Sequence, residues 1–369
     1  MRITIPGCTG EQGIFSIALD ETTRDDLSRE NISFLYISPE EIVIYPDKKI
    51  ISPDEKVREE FAEKCNNYDV FEITGDGKAS RCYDDSSNEN IFFITEQCNS
   101  NCIMCPSPVL SRKNGTAADI DRLIEIARHI PSDVSHMTIT GGEPFMAGKQ
   151  IFKLLGFCKE KFEDTEFQIL TNGRIFSVSE YCDLIKENLP NYCTIGIPIH
   201  GSNDQIHDRI TQVKGSFDQT VTGITRLQKQ DISTEIRIVV LRDNVENLKD
   251  IAELIAGKMS KTSYVSIMAM ELTGNAFLNA DRVWISYRES FRYIRDAVNV
   301  LMKAGINVRL YNYPLCAVDS DMRTLCYRSI SSWKVRYSQT CDKCNEKASC
   351  GGVFAGSLKR EQEELEAII

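Results

Sequence analysis

The sequence predicts an α/β protein: a parallel sheet built from repeated strand-helix units, with a small β-rich unit before it and a cysteine-rich region after it. Three observations carry that prediction. From Asn90 onward, short apolar runs alternate with amphipathic stretches of helical period. Before about residue 88, strand-like runs are separated by turn signals. Beyond Tyr311 the chain turns cysteine-dense and loop-like.

The β-rich unit, residues 1–88, offers the strand candidates ISFLYI, EIVIYP and VFEITG, punctuated by Pro46-Asp47 and Gly75-Asp76-Gly77. It is expected to be a separate small domain. The repeat then runs through IFFIT, a helix near 117–129, HMTIT, the amphipathic KQIFKLLGFCKEKF, EFQIL, a helix over about 179–188, and CTIGIP. It continues with a helix from Ser216, EIRIVVL, a helix over about 245–259, YVSIMAM, and a long helix over 287–303. Six such units in a row imply a parallel sheet. Repeats of this kind close into full or partial barrels or open into doubly wound sheets, and periodicity does not choose between them. The tail LKREQEELEAII reads as a short charged helix without chemistry.

With 369 residues, 42% of them hydrophobic, the chain can bury one large core plus smaller appendages. The opening MRITIPGCTG lacks the pattern of a secretory signal, and the longest apolar runs are strand-sized, so a cytoplasmic protein that does not span a membrane is expected. A net charge of −11 without a basic patch argues against nucleic acid and leaves a small molecule or peptide as the partner. Fourteen cysteines in a reducing compartment persist as thiols, so clusters of them point to metal or redox work.

The sharpest cluster is CNSNCIMC, which places Cys98, Cys102 and Cys105 in one loop just after the first strand of the repeat. Asn99, Ser100 and Asn101 tolerate tight-turn backbone angles, so the loop can wrap a compact group. Soft thiolates favour zinc or iron-sulfur, and three of them leave one coordination position open where a closed structural site needs four. TITGGEP (138–144) follows the second strand and LTNG (170–173) the third, so all three motifs fall at the carboxyl end of the sheet, where ligand sites of α/β folds gather. Gly141 and Gly142 would let a ligand approach the backbone, and Glu143 adds a carboxylate suited to an ammonium group.

Together these motifs resemble the radical S-adenosylmethionine (SAM) superfamily. The resemblance implies a partial (β/α)6 barrel over residues 89–311, in which Cys98, Cys102 and Cys105 ligate a [4Fe-4S] cluster whose fourth iron is chelated by SAM. It further implies that Gly141, Gly142, Glu143 and Pro144 contact the methionine amino group, Asn172 the ribose and Arg237 the methionine carboxylate; an ion pair at the barrel rim is the alternative for Arg237. Met104 stands where the family usually has an aromatic residue beside the adenine, and an adaptable apolar side chain can keep that contact. The implied chemistry is electron transfer into SAM, release of a 5'-deoxyadenosyl radical and hydrogen abstraction from a substrate.

The second cluster is CDKCNEKASC, with Cys341, Cys344 and Cys350, preceded by Cys316 and Cys326. It resembles the opening of the SPASM signature, the auxiliary-cluster region of peptide-modifying radical SAM enzymes, over residues 312–369. That signature continues with a cysteine where this chain has Phe354, which favours one auxiliary [4Fe-4S] cluster over two. Cys316 would complete the set with Cys341, Cys344 and Cys350, with Cys326 as its rival, and a structural zinc is the alternative metal. Cys8, Cys65, Cys82, Cys158, Cys182 and Cys193 lack ligand spacing and read as small buried hydrophobes. His200 and His207 are expected to position loops, and Glu271 either faces the cavity or forms an ion pair.

FFITEQCNSNCIMC, KGSFDQT followed by GITRLQ, EIRIVVLRDN, YNYPLC, SISSWK and CGGVFA, in that order, are most similar to the His-Xaa-Ser system radical SAM maturases of the HxsC type. That resemblance implies a ribosomally made precursor peptide as substrate, a second radical SAM maturase as partner and an electron donor such as flavodoxin or ferredoxin. The β-rich N-terminal unit could recognise the precursor by strand addition. The two alternatives are an activating or small-molecule radical enzyme on the same core, and a non-catalytic relay or scaffold for another maturase.

Overall fold

The computed structural model describes residues 1–5, 10–51, 55–107, 112, 114–361 and 364–369. Cys8 lies outside them. The strands fall into two main sheets. The first combines β1 (Arg2–Thr4), β2 (Gly13–Ala18), β3 (Phe34–Ile37), β4 (Ile42–Tyr45), β5 (Lys49–Ile51), β6 (Val70–Ile73) and β7 (Lys78–Tyr83) in the order β1-β7-β6-β2-β3-β4-β5. All its pairs are antiparallel except β2 with β3. The helices Glu21–Glu30 and Glu55–Lys64 belong to the same unit and were not anticipated. Their sequences explain why: ETTRDDLSRE buries only Thr23 and Leu27, and EKVREEFAEK only Val57 and Phe61, too few apolar positions to make a stripe.

The second sheet is parallel throughout and runs β15-β14-β13-β12-β11-β10-β9-β8. Its strands are β8 (Ile91–Phe93), β9 (His136–Thr140), β10 (Glu166–Leu170), β11 (Tyr192–Pro198), β12 (Thr234–Val240), β13 (Tyr264–Ala269), β14 (Val308–Tyr311) and β15 (Cys326–Tyr327). The six expected strands are present, and β14 and β15 extend the sheet beyond them. Successive residues point to opposite faces. Ile236, Ile238 and Val240 of β12 are buried in the helix-covered core, while Glu235 and Arg237 face Gln168 of β10 across the inner side. The edge strands β8 and β15 are not hydrogen-bonded to each other, so the sheet curls into a partial barrel that stays open on one side.

Helices close the outer face in the manner of Ile120–His129. Asp119 caps its N-terminus by accepting from the Arg122 N–H, and Ile120, Leu123, Ile126 and Ala127 are buried. Burying each isoleucine or leucine contributes roughly 1.5–3 kcal/mol. The same helix docks the first sheet: the Arg122 guanidinium grips the Glu72 carboxylate with two 2.6 Å bonds, and Ser16 Oγ lies 3.1 Å from His129 Nδ1. Ile14, Val70 and Tyr83 of that sheet join the barrel's own core cluster.

Beyond β15 follow a two-stranded ribbon of β16 (Val335–Arg336) and β17 (Val353–Phe354) and the helix Ala355–Glu361. The short helix expected over LKREQEELEAII starts earlier, at Ala355, and does not extend over the last residues. Residues 364–369 are not helical, and Leu365 is buried. Among the described residues no helix is long and apolar enough to cross a membrane.

Candidate functional site

The loop after β8 carries Cys98, Cys102 and Cys105 as free thiols. Burial comes first in pushing Cys102 up to about 12 and also raises Cys98, with neighbouring cysteines adding to both shifts. Cys98 and Cys102 therefore hold their protons, which a metal must displace to bind. The Ser100 N–H donates to Cys98 Sγ at 3.4 Å.

Four distant segments fasten this loop. From β9, Gly142 N–H donates to Thr95 O at 2.7 Å and Glu143 N–H to Gln97 O at 2.8 Å. From β10, Asn172 Nδ2 donates to Asn99 Oδ1 at 2.7 Å, and the Arg174 guanidinium donates to Asn99 O and Ser100 Oγ. The end of the helix Asp204–Thr211 accepts from the N–H groups of Asn101 and Ile103. Beneath the loop, Asn275 donates to the carbonyls of Cys102 and Cys105 and Asn279 to that of Ile103. Gly274, with φ of 55°, lies so close that a Cβ would stand 2.3 Å from Pro106 O.

The glycine pair lets two loops of this chain meet. A Cβ on Gly141 would stand 2.6 Å from Thr95 O, and one on Gly142 2.4 Å from Gln97 O, so the missing side chains let two loops of this chain touch. The Glu143 side chain is likewise committed. Its carboxylate is buried and accepts from Phe145 N, Thr171 Oγ1 and Asn172 N at 2.7–3.1 Å. Burial pushes its pKa up against those three donors. Pro144 opens the short helical turn Pro144–Gln150 that Glu143 caps.

Arg237 Nη1 donates to both oxygens of the fully buried Glu235 at 2.8 and 2.9 Å, and Nη2 reaches Met268 Sδ. Glu235 further accepts from Gln168 at 2.6 Å. A carboxylate in the barrel interior needs a counter-charge, and Arg237 supplies it, so the ion-pair alternative describes this residue. Met104 is 7% exposed and packs with Ile210, Met270 and Leu272 under the cysteine loop.

A cavity of about 400 Å³ opens beside the loop, lined by Gln97, Cys98, Asn99, Ser100, Asn101 and Arg112, among others. Arg112 was missed at the level of sequence. It is buried, donates to Ser100 O and Asn101 Oδ1, and leaves Nε without a partner among the described residues. A second cavity, about 570 Å³, lies at the opposite mouth of the barrel, among Glu166, Gln168, Thr194, Tyr264 and Arg309. His200 and His207 are both buried, with the His200 N–H donating to His207 Nδ1, and they hold loops together as expected. Glu271 pairs with Lys334 at 3.0 Å.

In the C-terminal region Cys316, Cys341, Cys344 and Cys350 line one cavity, and Cys326 is not among its lining residues. Leu315 N–H and Gly352 N–H donate to Cys350 Sγ at 3.4 Å, and Ser338 Oγ lies 3.5 Å from Cys341 Sγ. Among the described residues no group of three such donors is drawn together as on a single ion; the four cysteines line one small cavity, and their soft thiols are the donor set that zinc or an iron-sulfur cluster takes. Cys65, Cys158, Cys182 and Cys193 are buried and Cys82 is half-buried.

The family profile described as Radical SAM superfamily matches residues 92–255. The AdoMet-dependent heme synthase of Nitratidesulfovibrio vulgaris is 27% identical over 168 residues, 44% of this chain and 42% of that protein. The antilisterial bacteriocin subtilosin biosynthesis protein AlbA of Bacillus subtilis is 27% identical over 165 residues, 44% of this chain and 36% of its own length. The matched regions thus span less than half of either relative. Among solved structures, Streptococcus suis SuiB bound to S-adenosylmethionine superposes with a TM-score of 0.51 at 15% identity, over 61% of this chain and 51% of that one, a likeness of fold.

Proposed function

We propose that this chain, whose residues 92–255 match the radical SAM superfamily profile, is a radical SAM enzyme and a peptide maturase of the HxsC type. It would cleave SAM reductively and abstract hydrogen from a ribosomally synthesised precursor. The observation that carries the reading is the meeting of three loops, CNSNCIMC, GGEP and LTNG, at the carboxyl ends of β8, β9 and β10, with three free thiols in the first. Three soft donors with a cavity alongside fit a cluster that keeps an open position.

When bound, the [4Fe-4S] cluster and SAM supply the one-electron chemistry that yields a 5'-deoxyadenosyl radical. The chain's residues do the rest. Cys98, Cys102 and Cys105 hold the cluster, and Arg112 and Arg174 place positive charge against their loop. Gly141 to Pro144 present backbone to SAM, and Asn172 fixes the cysteine loop at its edge. A peptide reaches the interior through the open side of the barrel, where Ile91 and Phe93 of β8 are each 46% exposed. Exposed apolar side chains flanking a cleft favour an extended chain over a small polar substrate. Cys316, Cys341, Cys344 and Cys350 hold one auxiliary cluster, with Cys316 as fourth ligand because it shares their cavity. Electrons come from a flavodoxin or ferredoxin, and a second maturase is the expected partner.

The test is anaerobic reconstitution with iron and sulfide, addition of SAM and dithionite, and quantification of 5'-deoxyadenosine against a variant with Cys98, Cys102 and Cys105 replaced by alanine. Formation by the wild type alone supports an enzyme. If fully loaded wild type forms none, a relay or scaffold role replaces it.

A further inference from the structure

Residues 364–369 lie on the four-cysteine cavity, where Leu365, Glu366 and Ile368 form part of its lining. Three contacts tie them there. Ile368 N–H donates to Cys344 Sγ at 3.4 Å. Ile368 O accepts from Asn345 N–H at 2.9 Å, one residue past Cys344. The Glu366 carboxylate pairs with Arg288 at 2.8 Å, on the long helix Tyr287–Lys303. Leu365, 5% exposed, plugs into the barrel's core cluster. A segment that only trailed along the surface would not bury a leucine and turn an N–H onto a cysteine sulfur.

We propose that residues 364–369 are part of the auxiliary metal centre: a strap that closes the four-cysteine cavity from one side and supplies a backbone N–H donor, from Ile368, to Cys344. This rests on the four cysteines holding an iron-sulfur cluster. With the strap, Cys341, Cys344 and Cys350 each have a hydrogen-bond partner at sulfur. Such donors stabilise the more negative, reduced cluster and so raise its potential, and covering the cavity keeps water and chelators out. Ile368 is a positioning residue, acting through the cysteine it touches.

The experiment uses the full chain with Cys98, Cys102 and Cys105 replaced by alanine, so that bound iron reports the auxiliary site alone. Iron and sulfide content come first: zinc, or no metal, overturns the cluster reading itself, before the strap is tested. In the iron-loaded protein, Ile368→Pro removes the donor to Cys344 while keeping the covering side chains nearby, and Ile368→Ala keeps the N–H. The expected result is a midpoint potential shifted to more negative values in Ile368→Pro and unchanged in Ile368→Ala. Deletion of residues 364–369 is expected to speed bleaching of the cluster by a chelator about tenfold. A cluster that loads normally but shows the wild-type potential in Ile368→Pro and the wild-type bleaching rate after the deletion overturns the strap and leaves the cluster standing. If the deletion variant does not fold, the Ile368 pair decides alone.

Discussion

His207 shows what burial does to a titratable group here. Its Nδ1 accepts the His200 N–H at 3.2 Å, a bond that only an unprotonated ring can make, and burial brings its pKa down to about 4. His129, buried between the barrel and the first sheet, is lowered to about 4 for the same reason. Because the unfolded chain takes up these protons near pH 6.5 and the folded one does not, stability present above that pH is lost between 6.5 and about 4. Unfolding at pH 5 should therefore cost about 2 kcal/mol less per histidine than at pH 7.5. Denaturant melts at the two pH values check this, and His207→Asn, whose amide oxygen can accept the same N–H, should flatten the slope. An unchanged slope would contradict the assignment. Single residues were also where the sequence was least explicit. The spacing of CNSNCIMC announces a thiolate loop, but nothing local distinguishes a Glu143 that greets a ligand from one that ties β9 to β10, or an Arg237 that binds SAM from one that neutralises Glu235.

The elements of the barrel were legible because buried strands and amphipathic helices impose periods of two and 3.6 on adjacent residues. The helices Glu21–Glu30 and Glu55–Lys64 escaped because they are mostly solvated and carry no such period. Two-residue β15 escaped because it is too short to have one. The supports of the cysteine loop escaped for a third reason: Gly274, Asn275 and Asn279 act on it from the far side of the barrel, and spacing within a sequence carries no record of such pairs. At this scale the glycine pair makes a sharp prediction. Gly142→Ala would place a methyl group against two carbonyl oxygens that have no room to retreat, forcing the cysteine loop away from β9. Displacement of that order costs on the order of a hundredfold in rate. We expect 5'-deoxyadenosine formation to fall by about that factor while the far-ultraviolet circular dichroism is preserved; near-wild-type activity would show that the two loops need not touch.

Over the whole molecule, the two sheets differ in how they end. The barrel is open between β8 and β15, and the first sheet ends in β5, where Ile50 is 59% exposed. We propose that this edge, which pairs with no further strand among the described residues, receives the precursor as an added strand, while the segment to be modified enters the barrel opening. Charge on an edge strand discourages such pairing. Ile50→Glu is therefore expected to weaken binding of a labelled precursor with His-Xaa-Ser repeats about tenfold, measured by fluorescence anisotropy, without changing precursor-free SAM cleavage. Unchanged affinity would remove the first sheet from recognition. The fastening of the cysteine loop carries a consequence for how the protein comes into being. Asn279 and the Ile103 carbonyl it holds are 176 residues apart, so the socket does not exist until the ribosome has delivered nearly the whole barrel. Iron delivery must follow folding, and the cell's assembly machinery meets a finished receptor.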